Sequence, residues 1–406
     1  MSSREARRGE NLTIFLVSAA HLISHFQLLV LISLFPLFRR DLHVDFVQLG
    51  LVLTAFNVCS VATQTPMGFF ADRYGPRNIL IVGLCVGGLA FILAGLLPAY
   101  SWLLAAAALA GSANSVYHPS DYAILSARIA PERIGKAFSY HTFSGFLGSA
   151  IAPPVALGIA LHAGLGTALV ASGIFALSVA ATLLFARQLD GVPQHLAAEN
   201  KPAPVGGRSL LSPLIIVLTL WFAFLNLSGS ALQNFSAVAL MRLYGIPLTI
   251  ASAGLTAYMV GIAIGVLTGG HLADKTKRHA DIASGGFGVM ALVTLLIGYV
   301  DLGAAVVGAL GVAGFLSGLI MPSRDMLVRA SAPPGASGRV FGIVTTGFNI
   351  GGTVGPMLYG WLMDHGQPRA VFLVAVGFMV LTILIALGTD RSERARQLQT
   401  AGARLS

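Results

Sequence analysis

Twelve apolar runs, each long enough to cross a bilayer as a helix, constrain this chain more than any motif in it. They lie near residues 12–35, 46–69, 78–99, 102–128, 137–160, 165–187, 211–240, 248–270, 282–300, 302–328, 340–363 and 368–388. About 20 apolar residues span the hydrocarbon core, and there each backbone N–H and C=O has to be satisfied within its own segment. Charged residues make up only 10% of the chain, against roughly 25% in a soluble domain. The expected fold is therefore an all-α membrane protein with twelve transmembrane helices.

The first run follows "MSSREARRGE" and is too long for a signal-peptide apolar region, with no small-residue cleavage site after it. It is expected to stay as the first helix. Cys59 and Cys85 fall inside the second and third runs, with no metal-ligand spacing, and are expected to be small core residues. No metal site or cofactor is expected. The net charge of +9 is not gathered on one face or in a soluble segment, so it does not point to nucleic acid. Of the 25 Lys and Arg, only Arg39, Arg40, Arg242 and Arg369 fall in loops on one side of the twelve runs. That asymmetry places both termini in the cytoplasm.

Shifted by about 200 residues, the chain matches itself. Pro119 meets Pro322 and Pro153 meets Pro356 at an offset of 203 (322 minus 119, 356 minus 153), as do Gly135 with Gly338 and Phe138 with Phe341. "LTAF" at 53–56 meets "LTAY" at 255–258, and Asp72 meets Asp274, both at 202. The chain thus reads as two parallel repeats of six spans. Residues 1–187 form the first bundle, 188–209 a polar, Pro- and Gly-rich cytoplasmic linker, and 210–406 the second bundle with a short cytoplasmic tail. Parallel six-span repeats joined this way are a transporter plan.

The stretch "GFFADRYGPR" at 68–77 and its weaker copy "GHLADKTKRH" at 270–279 resemble the loop between spans 2 and 3 of the major facilitator superfamily. The second copy has Lys277 where the first has Gly75. Within the superfamily the chain looks similar to the fosmidomycin-resistance type of drug exporter. The likeness rests on His21 in "AHLISHF", the "PLF" at 36–38, and Tyr117-His118-Pro119 in span 4. Two positions depart from that pattern: His25 stands where the type has an acid, and Ser120 precedes Asp121 where the acid directly follows His-Pro. The resemblance implies the major facilitator fold, a bacterial cytoplasmic membrane, alternating access, and a proton as coupling ion. It also implies a gating role for Gly68, Asp72, Arg73, Arg77, Gly270 and Asp274, in which the loop docks on neighbouring helix ends. "GSAIAPP" at 148–154 and "GGTVGP" at 351–356 resemble the superfamily's antiporter element, the first in degraded form.

Ionisable groups inside a span are costly and so face a cavity or a partner. Asn114, His118 and Asp121 stand at i, i+4 and i+7, which on a continuous helix is one face. Pro119 is expected to bend span 4, and Pro322 to do the same in span 10. His21 and His25 share a face near the middle of span 1, whereas His118 and His141 are expected together nearer the cytoplasmic side. An imidazole titrates near pH 6.5, so His21, His25, His118, Asp121 and His141 are the proton-coupling candidates. The alternatives are a neutral imidazole bonded to a carbonyl, and an Asp121 paired with Arg128. Asp325 and Arg329 are expected to pair with each other, which leaves Arg324 to attract an anionic group. Asn114, Tyr117, Asn226, Gln233, Asn234, Tyr258, Arg324 and Asn349 are the substrate-cavity candidates.

No phosphate-binding Gly-Lys loop and no nucleophile with a base appear, so neither ATP use nor an enzyme is expected. The leading reading is a monomeric secondary transporter exporting a drug-like or polar compound against protons. Proton-linked uptake of a small organic anion is the alternative, and a non-transporting sensor of the same fold is the third.

Overall fold

The computed structural model describes residues 3–130, 133–190, 213–275, 278–331 and 337–402. From residue 191 onward the expected linker lies outside the described residues. So do the side chains of Asp274, Lys277, Asp325 and Arg329, and with them the expected Asp325–Arg329 pair. All regular structure among the described residues is helical.

The chain divides into two compact units, one of Met1–Lys201 with Pro356–Asp364, the other of Pro202–Gly355 with His365–Ser406. The first carries α1 (Ser3–Ser33), α2 (Phe35–Leu42), α3 (Phe46–Tyr74), α4 (Pro76–Leu96), α5 (Tyr100–Asn114), α6 (Tyr117–Arg128), α7 (Ile134–Ala163) and α8 (Leu165–Phe185). Single glycines at positive φ, Gly75 and Gly164, link α3 to α4 and α7 to α8. Such a φ strains any residue with a Cβ. Here α1 packs along α7, α4 along α8 and α3 along α5.

The start of α3 is held by two carboxylates. Asp45 caps it through a reciprocal pair with Gln48, and Asp364 accepts hydrogen bonds from Phe46 N–H (2.9 Å) and Val47 N–H (2.7 Å). Negative charge at a helix N-terminus satisfies amides that have no intrahelical partner.

The second unit carries α9 (Pro213–Ser230), a π-helical turn at Ala231–Phe235, α10 (Ser236–Tyr244), α11 (Leu248–Lys275), α12 (His279–Tyr299), α13 (Val306–Ser331), most of α14 (Ser337–Asp364), and α15 (Pro368–Gly402). Its most extensive packing joins α11 to α13. A Cβ on Gly265 would come within 2.1 Å of the Phe315 carbonyl, and one on Gly318 within 2.2 Å of the Ile262 carbonyl. Small residues are what let membrane helices approach this closely.

Ten helical segments among the described residues are long and apolar enough to cross a membrane. The two other expected runs, 102–128 and 340–363, take different forms. The first breaks at Ser115–Val116 into α5 and α6, and the second is carried by α14, part of whose side chains lie outside the described residues. The break corrects the expected symmetry of the prolines: Pro119 sits in the first turn of α6, but Pro322 lies inside a continuous α13. In α13, Gly318 packs on the Ile262 carbonyl of α11, whereas at the matching Ser115 the hydroxyl donates to Ser112 O (2.6 Å). A serine bonding back to its own backbone competes with the helix ladder.

Candidate functional site

The site in the first unit is aligned by its helix ends. Glu10 of α1 accepts from Ala130 N–H (3.1 Å) and pairs with Arg133, which also donates to Asn11 Oδ1 (2.6 Å). From this anchor His21 lies 11 residues along α1, His118 lies 12 back along α6, and His141 lies 8 along α7 (21 minus 10, 130 minus 118, 141 minus 133). At about 1.5 Å per residue, the three rings reach comparable heights. The expected separation of the histidines by depth is therefore corrected: all four converge, together with Asp121.

The imidazoles of His21 and His141 stack with centroids 3.8 Å apart and planes 15° from parallel. His25 stands edge-on to His21 at 4.8 Å, and His118 is tilted at 5.4 Å. His141 Nε2 lies 2.9 Å from Asp121 Oδ2. His21, His141 and Asp121 are buried, His25 is half-buried, and His118 is exposed. Asp121 is thus bonded to His141 and not to Arg128, whose Nε has no partner among the described residues.

Hydrogen bonding fixes one tautomer. His21 Nδ1 lies 2.8 Å from the His141 carbonyl oxygen, which can only accept, so Nδ1 carries the hydrogen. Nε2 of the neutral ring is then a lone pair. His21 Nε2, His141 Nδ1 and Asp121 Oδ1 are buried without a partner among the described residues. A proton can be added at any of them without breaking an existing bond. Two positive charges about 4 Å apart repel by on the order of 4 kcal/mol in a protein-like dielectric. Repulsion therefore disfavours charging both stacked rings at once.

Gly145 makes the cluster fit. A Cβ there would lie 2.7 Å from His21 Cε1 and 2.9 Å from His25 Cδ2. Sequence reasoning passed over this glycine, since only the approach of α1 to α7 reveals what it does.

Other expected site residues are dispersed. Asn114 ends α5, before the break, and its Nδ2 donates to Ser60 Oγ on α3 (3.1 Å). Tyr117 is 2% exposed, in the hydrophobic core with Leu80, Leu84 and Ile124. Tyr258 is likewise buried, its carbonyl packed on Gly314. Gln233 and Asn234 sit half-buried in the π-helical turn, where Asn234 donates to Ser230 Oγ (3.0 Å). Asn226 lies against Gly351, and Asn349 is half-buried. Arg324 Cζ lies 5.0 Å from each of the Phe222 and Phe348 ring centroids.

In the expected gating loop Asp72 is exposed and makes no hydrogen bond or ion pair among the described residues. Arg77 docks instead, donating to Leu183 O (2.9 Å), Leu184 O (2.7 Å) and Asp190. A guanidinium suits the carbonyls that end α8 better than an acid would. Arg73 lies over the Tyr74 ring, and Gly68 and Gly270 are half-buried.

A cavity of about 190 Å³, lined by residues including Phe38, Asp41, Pro98 and Leu165, touches none of the five clustered groups.

Residues 17–232 and 219–406 each match the family model of the Major Facilitator Superfamily. The chain belongs to this superfamily. The fold and resemblance expected from the sequence are borne out, with ten spans recognised where twelve were expected. The Fosmidomycin resistance protein of Escherichia coli (strain K12) is 26% identical over 388 residues, 93% of each chain. The Gallate transporter of Pseudomonas putida is 32% identical over 187 residues, 46% of this chain and 41% of that one. A solved inward-facing, unoccupied bacterial homolog of the human lysosomal transporter Spinster superposes with a TM-score of 0.77. At 15% identity, covering 94% of this chain and 97% of that one, it shows the shared fold alone. The major facilitator chain is an integral membrane transporter and not an enzyme.

Proposed function

We propose that this transporter is secondary and proton-coupled, and that it exports a small drug-like or polar compound. The observation that supports the coupling is the buried line from His21 through His141 to Asp121, with the exposed His118 beside it. Proton addition on the imidazoles has a counter-charge in Asp121 and an exposed imidazole through which to pass. In this reading residues 1–187 and 210–406 rock against each other about the linker at 188–209. The protein sits as a monomer in a bacterial cytoplasmic membrane with both termini inside. Export is favoured by the relative named for fosmidomycin resistance. Uptake of a small organic anion is the second reading, favoured by the relative named a gallate transporter.

The test uses liposomes holding the purified protein and a pH-sensitive dye, with fosmidomycin or gallate added outside. Lumenal alkalinisation marks exchange and acidification marks co-transport. The signal is expected to vanish in Asp121→Asn. A signal of full size in that variant would remove the cluster from the coupling step.

A further inference from the structure

The stripe of α6 that leads on from His118 carries a group that the proton step leaves unused. His118, Tyr122 and Ser126 stand at i, i+4 and i+8, and they are the exposed residues of α6. Beyond its first turn α4 exposes Val82, Leu89, Leu93 and Leu96 instead, an apolar side of the kind that lipid accepts. An imidazole, a phenol and a hydroxyl in a row are what a span presents to water. The other repeat agrees in sequence. Gly148 of α7 faces the Leu22 carbonyl and Gly351 of α14 faces the Ala223 carbonyl, which registers α1 on α9 at 201 (223 minus 22) and the partner helices at 203 (351 minus 148). This register pairs His21 with Phe222, Asp121 with Arg324 and Gly145 with Phe348. It turns the stripe into Met321, Asp325 and Arg329, two of them ionisable.

Tyr122 is the phenol of the stripe, and the scaffold does not need a ring there, since the matching position holds Asp325. Its ring lies 6.0 Å from His118 with planes 17° apart, 5.5 Å from His141 and 5.1 Å from Phe138. Three neighbours fix its orientation while 43% of the residue stays open. A ring held this way offers its free surface at little further cost in side-chain ordering. Planar π systems meet such a surface in offset or edge-on geometry and gain more than their buried area alone, which a saturated ring of equal size does not.

We propose that Tyr122 is a contact for the transported compound, binding an aromatic part of it on the water-facing stripe of α6 beside His118. The inference rests on the chain being a transporter and is independent of the direction of transport and of the proton step.

Two measurements on the full-length protein in nanodiscs test it, at one pH and without a gradient, so that failure of proton coupling leaves both unaffected. The first reads what the stripe faces. In a chain carrying Cys59→Ala and Cys85→Ala, the single variants Tyr122→Cys, Ser126→Cys and Leu89→Cys are treated with a charged methanethiosulfonate. Tyr122→Cys and Ser126→Cys are expected to react about tenfold faster than Leu89→Cys, or more, because the reacting thiolate forms in water and not in apolar surroundings. Equal rates would place the stripe in lipid and overturn the proposal. The second is isothermal titration with phenol, benzoate and benzylammonium, each beside its saturated twin, cyclohexanol, cyclohexanecarboxylate and cyclohexylmethylammonium. At least one aromatic probe is expected to bind about 2- to 10-fold more tightly than its twin, the range of one aromatic pair. Tyr122→Phe is expected to keep that preference and Tyr122→Leu to remove it. Folding of each variant is checked by gel filtration; if Tyr122→Leu does not fold, the preferred probe is expected to slow labelling of Ser126→Cys more than its twin does, and equal protection overturns the contact. Absence of an aromatic preference in all three pairs, or its persistence in Tyr122→Leu, would overturn the contact and leave Tyr122 a packing ring of the cluster.

Discussion

The His21–His141–Asp121 cluster of the first repeat and the Phe222–Arg324–Phe348 cluster of the second occupy matching positions on matching helices. One is built from imidazoles and a carboxylate, the other around a guanidinium. The substitution that separates them is sterically plain. Gly145 admits two imidazoles against α7, whereas the Phe348 ring meets Phe222 edge to face with the Arg324 guanidinium 5.0 Å from both centroids. The duplicated scaffold thereby holds two different side-chain sets, imidazoles with a carboxylate in one repeat and a guanidinium with two aromatic rings in the other.

The comparison breaks most severely at Asp121. Asp121→Asn keeps the shape but removes the negative charge that balances an imidazolium, so substrate-driven proton movement is expected to fall to the level of empty liposomes. His141→Gln is expected to do the same. A smaller effect is expected from Gly145→Ala, whose methyl group would press on His21 and His25. Because displacements of this size misalign reacting groups, transport is expected to drop by about 10- to 100-fold and its pH profile to move. A merely structural role for Gly145 would lower the amount of folded protein and leave the pH profile where it was.

In the second repeat, Phe348→Ala removes one of the two rings from Arg324. The folded protein is expected to lose about 1 kcal/mol or more of stability, from one cation–π contact and the packing of one ring, with no change in the pH dependence of proton movement. The smallest effect is expected at His118, which is exposed beside the cluster. His118→Gln is expected to slow proton exchange with solvent, read as a lower initial rate of the dye signal with its final amplitude kept.

Much of this organisation was legible in the sequence. The apolar runs gave the class, and the matched prolines and glycines near an offset of 203 gave the repeat. All five members of the cluster were recognisable as ionisable groups in apolar surroundings. Their convergence was not, because it depends on the Glu10, Ala130 and Arg133 contacts that level three helix ends, and those residues are far apart in the chain. The break at Ser115–Val116 was hidden for a different reason. Pro119 signals a bend but tolerates the first turn of a helix, so it marks the start of α6 and not a kink within one helix. Asp364 capping α3 could not be anticipated across more than 300 residues of chain, nor could Arg77 taking the carbonyls of α8 in place of Asp72.

The central claim is that the first repeat takes up a proton on its stacked histidines. Nitrogen-15 magnetic resonance of histidine-labelled protein in lipid, followed through a pH titration, reads it directly, since the ring nitrogens distinguish both neutral tautomers from the imidazolium. At high pH His21 is expected as the Nδ1–H tautomer, and over the pH range in which transport switches on one of His21 and His141 is expected to become an imidazolium, a change absent in Asp121→Asn. Finding His21 and His141 neutral throughout that range would contradict the account.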